Sequence, residues 1–566
     1  MSGSLHPALV FFVGAAFVGL SEGRLRAFFL LLTPVIGLAN LVWGGHDALV
    51  TLDFFDYRLT VFRADKLALL FGYLFHIAAF IGAIFALHVR DRMQHVAALA
   101  YAGSGIGIVF AGDLITLFVF WELAAITSVF LIWARRTPRA TAAGLRYFAI
   151  QVVSGLMLLA GVLIRQYETG SIAFGYIGLG GIASWLIFLA FGIKCAFPTL
   201  HNWLTDAYPE ATPTGTVFLS AFTTKAAVYA LARGFPGTEL LVYVGAAMTV
   251  FPIFYAVIEN DLRRVLSYSM INQLGFMVCG IGIGTELALN GAVSHAFNDV
   301  IFKGLLFMSM GAVLHMTGKI NGSELGGLYK TMPQTAGLCI VGAASISAFP
   351  LFSGFVSKSM VMAAALEEGY GWVWLFLLFA SAGVFHHAGI KIPFFAFFAR
   401  DSGIRVREPP LNMRLAMLIA AVLCIGIGSY PWPLYALLPF PVNYAPFDAT
   451  HVIGQTQLLF FSALAFAWLK LSGLYPPELP SLNIDAEWLY RWFAPRAVGL
   501  AWREGTRLDR ALRAQALKGA DAVIAGLRRH YGPQARSART WPTGDATAWI
   551  ALLLAVTLVI YYWQGA

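Results

Sequence analysis

The chain carries about sixteen apolar runs, most near the ~20 residues that a helix needs to cross ~30 Å of hydrocarbon, and short loops separate them. Lipid offers backbone N–H and C=O groups no partner, so runs of this length must satisfy their own hydrogen bonds as helices. Their approximate cores lie at 7–20, 25–43, 66–89, 94–110, 114–134, 143–164, 176–197, 213–233, 238–258, 265–284, 287–316, 336–363, 371–399, 413–430, 454–474 and 547–563. With 59% hydrophobic and 12% charged residues, the 566-residue chain falls outside the range of soluble domains. It reads as an all-α polytopic membrane protein.

Loop charge orients the runs. Odd-numbered loops carry Arg24 and Arg26, Arg90 and Arg92, Arg135, Arg136 and Arg139, Arg263 and Arg264, Lys319 and Lys330, and Arg400, Arg405 and Arg407. Even-numbered loops carry Asp47, Asp53 and Asp56, Glu286, Glu367 and Glu368, and Asp448. Basic loops stay in the cytoplasm, which places both termini outside it and residues 475–545 inside. The loop after the seventh run breaks the rule with Asp206 and Glu210, and its position suggests the cytoplasmic mouth of a path. The net charge of +9 is thus written by topology, and nucleic acid is not an expected partner. Cys195, Cys279, Cys339 and Cys424 lie in apolar runs without CxxC spacing, so no disulfide framework, zinc or iron-sulfur site is indicated. The first run lacks a basic flank and a cleavage site and is expected to remain as a helix. Residues 503–529 have arginines on one helical face and Leu508, Leu512, Val523, Ile524 and Leu527 on the other. Such a helix either lies on the membrane surface or packs on the chain's own loops.

Ionisable residues at membrane depth are costly and mark function by default. Glu122 and Lys194 are expected to restore each other's charge, either as part of an ion path or as a static pair. Lys194 precedes Pro198, whose ring breaks the helix, and a broken helix in a bilayer lines a cavity or packs within protein. Lys225 has no acid within a helical turn and needs water or a partner on another helix. His295, Asp299 and Lys303 recur at i, i+4 and i+8 on one face, a spacing that suits a relay with the carboxylate between two cations, or a polar stripe joining helices. The twelfth run repeats the earlier design, with Pro350 and Gly354 as breakers and Lys358 as the buried charge. Two broken helices at corresponding places in two halves point to inverted repeats. The thirteenth run adds His386, His387 and Lys391 before Pro393, either core residues or the exit of the path.

These segments resemble the antiporter-like subunits shared by respiratory complex I and the multisubunit Mrp-type cation/proton antiporters. The carrying stretches are LFVFWE ending at Glu122, GIKCAFPTLHNWLTDAYPEATPTG, TTKAAVYALAR, DLRRVLSYSMINQLGFM, SHAFNDVIFKGLLFM and PLFSGFVSK ending at Lys358. GIKIPFFAFF and NIDAEWLYR favour the branch of the D-type Mrp subunits. The resemblance implies two inverted five-helix repeats and a central chain of charges. By motif position, Glu122 and Lys194 would serve the first half-channel, Lys225 the bridge, His295 and Lys303 the second relay, and Lys358 its terminal lysine. Related sequences often have histidine at the place of Asp299. The expected segmentation is 1–92 for N-terminal helices, 93–235 and 236–400 for the half-channel units, 401–475 for peripheral helices, 476–545 for the basic segment and 546–566 for a last helix.

The resulting expectation is a proton-translocating subunit of a Na+ or K+/proton antiporter in the inner (cytoplasmic) cell membrane, with partner subunits, no cofactor and no covalent chemistry. A redox-driven pump related to complex I or to membrane-bound hydrogenases would use the same path. A membrane oxidoreductase holding haem between histidines is the reading from another class, and it would need ligand pairs on facing helices.

Overall fold

The computed structural model describes residues 6–44, 48–479, 483–535 and 538–565. They form two compact units, 1–485 and 486–566. The first unit contains α1 (Pro7–Leu20), α2 (Gly23–Trp43), a hairpin of β1 (Leu49–Phe54) and β2 (Tyr57–Arg63), α3 (Lys66–Ala86), α4 (Arg92–Phe110), α5 (Leu114–Trp133) and α6 (Pro138–Thr169). It continues with α7 (Ile182–Lys194), α8 (Asn202–Ala207), α9 (Pro213–Ala221), α10 (Thr223–Gly234), α11 (Glu239–Ile258), α12 (Leu262–Ile283), α13 (Glu286–Thr317), α14 (Pro333–Ile346) and α15 (Ser353–Glu367). It closes with α16 (Gly371–Phe398), α17 (Leu411–Ser429) and α18 (Ala449–Leu471). The second unit holds α19 (Ala494–Tyr531) and α20 (Thr543–Gln564).

Among the described residues thirteen helices are long and apolar enough to cross a membrane, and α1, α7 and α14 are shorter apolar helices. Their starts are set by side-chain caps. Asp65, Asp91, Asp113, Thr137, Thr212, Asp261 and Thr285 each accept a hydrogen bond from a backbone N–H of the first turn, which satisfies donors that a helix cannot pair internally. Gly170, Gly284 and Gly318 end α6, α12 and α13 in the left-handed conformation that a side chain would resist.

Several expected runs are interrupted. The stretch 176–197 is helical only from Ile182, and 213–233 divides into α9 and α10 at Phe222. The stretch 336–363 divides into α14 and α15 around Pro350. Gly354 is not itself a breaker. It lies in the first turn of α15, where an added Cβ would collide with Ser345 O, so its role is to let two backbones approach. The β-hairpin lies in a stretch read as a loop. Its strands pair antiparallel, Leu49 opposite Arg63 and Phe54 opposite Tyr57.

Residues 113–207 and 261–367 run through matching elements. Each series opens on an aspartate cap whose residue bridges the loop before the broken helix, Asp113 to Ala173 and Asp261 to Asn321. Each contains a 32-residue helix, α6 and α13. Each then breaks at the same four-residue turn, Ala196-Phe197-Pro198-Thr199 and Ala348-Phe349-Pro350-Leu351. In both turns the alanine and the residue after proline have positive φ, 61° and 68° in the first, 57° and 71° in the second. Non-glycine residues adopt this region at a cost that surrounding structure must offset, and such residues cluster at functional sites.

The arginine-bearing loops converge at one end of the first unit. Arg92 meets Glu22 at 2.8 Å and Arg136 meets Asp91 at 3.2 Å. Arg135 and Arg263 both donate to Pro209 O. The acidic loop that broke the charge rule is neutralised in place: Arg146 binds Asp206 through two nitrogens, and Arg135 and Arg139 bind Glu210. Arg263, fully buried, also donates to the carbonyls of Tyr208, Ala211 and Thr212 and to Thr216 Oγ1.

Candidate functional site

The buried charges of the first unit line its interior from α5 to α16. Lys194 is the last residue of α7 and is 1% exposed. Its Nζ donates to Trp121 O at 2.6 Å and lies 4.4 Å from the Trp121 ring centroid, so the ammonium is held by a carbonyl and a π-face. The expected contact with Glu122 is not formed within ion-pair distance. The half-buried Glu122 carboxylate packs against Gly155 of α6, where its Oε1 fills the space that any larger residue would need and has no hydrogen-bond partner among the described residues.

Lys225 and Asp299 meet at 2.6 Å with both side chains fully buried. This contact joins α10 to α13 and answers the need for a counter-charge. It also corrects the relay drawn along α13, because Asp299 makes its ion contact with Lys225 rather than with either neighbour on its own helix. Lys225 Nζ further donates to Ser220 O, at the C-terminal end of α9. His295, one turn before Asp299, bridges two helices: Nδ1 lies 3.0 Å from Ser357 Oγ on α15 and Nε2 lies 3.1 Å from Gln273 Oε1 on α12. Lys303, one turn after, donates to Ser269 Oγ on α12 at 2.8 Å. The three residues of the stripe therefore reach three different surroundings.

Lys358 donates to Ile346 O at 3.1 Å and lies 4.9 Å from the Phe276 ring. The broken helices do not place their lysines in register. Lys194 stands four residues before Pro198, where the second series has Ile346, and Lys358 stands eight after Pro350, where the first has Asp206. Asn298 Nδ2 donates to Ser353 O, so α13 secures the restart of the broken helix.

In α16 the histidines part company. His386 stacks on Tyr475 with ring centroids 5.5 Å apart, while His387 is fully buried. Lys391, also fully buried, donates to Val257 O and Glu259 O at the end of α11 and meets Glu478 at 2.9 Å. Burial holds the Glu478 carboxyl above its usual range against the pull of Lys391. Glu478 belongs to a strap, described at residues 475–479 and 483–485, that sequence reasoning assigned no role. Asp485 in the same strap accepts from Tyr268 OH at 2.7 Å and lies 3.0 Å from His201 Nε2, just beyond the first helix break. Gln273, Asn298, Glu478, Asp485 and Arg263 were all missed as site residues. A usable signal existed in α12, where Ser269, Asn272 and Gln273 lie amid apolar residues in the buried middle of the helix.

No group of three or more His, Cys, Asp or Glu side chains suited to a metal ion occurs among the described residues. The arrangement can hold mobile protons on amines, imidazole and carboxylates joined through hydroxyls and amides.

Residues 111–385 match the family model described as NADH:quinone oxidoreductase/Mrp antiporter, transmembrane. Hydrogenase-4 component B of Escherichia coli is 26% identical over 517 residues, 81% of this chain and 76% of the relative. The D-type chain of the Na(+)/H(+) antiporter of Alkalihalophilus pseudofirmus is 29% identical over 355 residues, 58% of this chain and 72% of the relative. In fold, a chain of the Mrp complex from Dietzia sp. DQ12-45-1b superposes with a TM-score of 0.77 at 23% identity, over 92% of this chain and 62% of that longer one.

Proposed function

We infer, from a chain whose residues 111–385 match the family model of NADH:quinone oxidoreductases and Mrp antiporters, that it is the proton-translocating subunit of a multisubunit Na+ or K+/proton antiporter. The observation that carries this reading is the Lys225–Asp299 pair, which ties α10, lying between the two matching helix series, to α13 of the second by an ion contact in the buried interior. Protons enter near Glu122 and Lys194, pass Lys225 and Asp299, and continue by His295, Lys303 and Lys358 toward Lys391. Glu122 acts on Lys194 through its field and through water. A proton arriving at one station repels positive charge at the next, which is how stations without direct contact stay coupled. The half-channel units are 93–235 and 236–400, their inverted relation following from an odd number of crossings in each. Partner subunits supply the cation route, the membrane is the bacterial cytoplasmic one, and no bond-making chemistry is involved.

Replacement of Lys194 or Lys225 by alanine in the assembled complex tests the reading. Cation-driven proton flux in vesicles is expected to fall to background while assembly is retained, and normal flux in an intact complex overturns it. A redox-driven proton pump is the second reading, favoured by the similarity to Hydrogenase-4 component B over 81% of the chain. Hydrogenase or quinone-reductase subunits in the purified complex would decide for it.

A further inference from the structure

The loops that join α1 to α2 and α3 to α4 enclose a cavity of about 630 Å³ at the arginine-rich end of the first unit. Its polar wall is Glu22, Arg24, Arg26, His88, Arg90 and His95, and its apolar wall includes Leu30 on α2. Glu22 is matched by Arg92 at 2.8 Å and does not neutralise the remaining three guanidiniums. Arg26 is positioned by its own surroundings. Its Nε donates to Ser21 O at 3.1 Å and its Nη1 to Arg90 O at 2.9 Å, which ties the two loops together and leaves its second terminal nitrogen for a ligand. Arg24 and Arg90 are exposed and form no ion pair among the described residues.

Three unneutralised guanidiniums around one concavity suit a phosphate, whose oxygens accept paired N–H donors from planar forks. The surroundings separate a lipid phosphate from a free one. On α2, next to the cavity, Leu25 and Phe28 are 54% and 55% exposed, an apolar surface that acyl chains would cover. The positive-inside rule puts these loops at the cytoplasmic leaflet, where anionic headgroups concentrate. We propose that this cavity binds the phosphodiester of an anionic phospholipid, with Arg24, Arg26 and Arg90 around the phosphate and the acyl chains laid along α2. The site stands apart from the buried lysines, so its failure and the failure of the proton path are independent.

The test is native mass spectrometry of the full chain in detergent, titrated with phosphatidylglycerol, phosphatidylcholine or inorganic phosphate. Phosphatidylglycerol is expected to give a saturable one-to-one adduct that phosphatidylcholine does not give. Arg24→Gln and Arg90→Gln are each expected to weaken it by about fivefold, as for one surface cation facing an anionic lipid. Arg26→Lys keeps the charge but loses the fork, and should fall between wild type and Arg26→Gln. Arg528→Gln, on α19, leaves binding unchanged. Equal phosphatidylglycerol binding by wild type and by the Arg24→Gln/Arg90→Gln double variant overturns the proposal. So does competition by inorganic phosphate at concentrations comparable to the lipid, which would make the ligand a free phosphate. Both residues of the double variant are exposed, so misfolding does not confound the result, and an unchanged unfolding midpoint verifies this.

Discussion

Asp299→Asn preserves the shape of the side chain and removes the one acidic group that, among the described residues, stands within ion-pair reach of Lys225. At a separation of 2.6 Å, two unit charges attract by about 6 kcal/mol at an effective dielectric constant of about 20. Desolvation cancels part of this, and removing one partner of a buried pair costs about 3–5 kcal/mol in practice. Lys225 keeps its hydrogen bond to Ser220 O, so the lower end, about 3 kcal/mol, is expected. Lys225→Met leaves Asp299 unpaired and should cost a similar amount. The double variant replaces two buried charges by uncharged side chains, and its cost should be well below the sum. Reversible unfolding in mixed micelles of detergent and dodecyl sulfate yields all three free energies. A coupling of about 2 kcal/mol or more is expected, and one below about 0.5 kcal/mol would refute the pair as an interaction that matters. Proton flux is read on the same variants, and normal flux through Asp299→Asn would remove the pair from the path even if it proved stabilising.

Other substitutions follow from the packing. Gly354→Ala drives a Cβ into Ser345 O and should destabilise by about 1–3 kcal/mol, whereas Gly337→Ala, with nothing near its Cβ, should gain up to about 1 kcal/mol; equal unfolding midpoints for the two would contradict the close approach. Arg263→Ala strips donors from four carbonyls of the 208–212 loop and should cost at least about 3 kcal/mol, with limited proteolysis of that loop as the readout. His88 is held down to about 4 by burial and by His315, and Asn412 donates to its Nδ1 at 3.2 Å. The fold therefore favours the neutral ring: this contribution is complete above pH ~6.5 and is lost as pH falls through about 4. His88→Gln should flatten the unfolding midpoint across that window, and an unaltered slope would count against the assignment.

Much of the architecture was readable because a bilayer permits so few solutions. Apolar length gave the helices, and Pro198 and Pro350 lie at both breaks, although α2 and α11 run unbroken through Pro34 and Pro252, so the ring alone does not mark a break. Burial of Lys194, Lys225, Asp299, Lys303 and Lys358 also followed from sequence, since each lies within an apolar run, Lys225, Asp299 and Lys303 near its middle. What periodicity could not supply was the identity of neighbours. The spacing of His295, Asp299 and Lys303 correctly put them on one face of α13, but three helices pack along that face: His295 reaches α12 and α15, Asp299 reaches α10 and Lys303 reaches α12. Glu122 and Lys194 were matched by charge, yet the carboxylate turns toward Gly155. The strap escaped notice because Glu478 and Asp485 sit in a polar stretch that looks like any loop. The hairpin was hidden by its brevity, two strands of six and seven residues between helices of twenty-one.

The carbonyls that receive the lysines have one more consequence. Lys225 reaches Ser220 O at the end of α9, Lys358 reaches Ile346 O at the end of α14, and Lys391 reaches Val257 O and Glu259 O at the end of α11. A helix C-terminus carries partial negative charge from carbonyls that the helix cannot use. Each break or terminus thus makes a fixed electrostatic seat, and the ammonium can be delivered to it from different points in the chain. The residue at the end of α7 is Lys194 itself, while its counterpart Ile346 receives Lys358 from the far side of the break. In the second series a lysine fills the seat at the break, whereas in the first the Lys194 ammonium lies on Trp121 O and its ring within α5. Aligning one half of the chain on the other by residue type would therefore pair lysines whose ammoniums the fold seats differently.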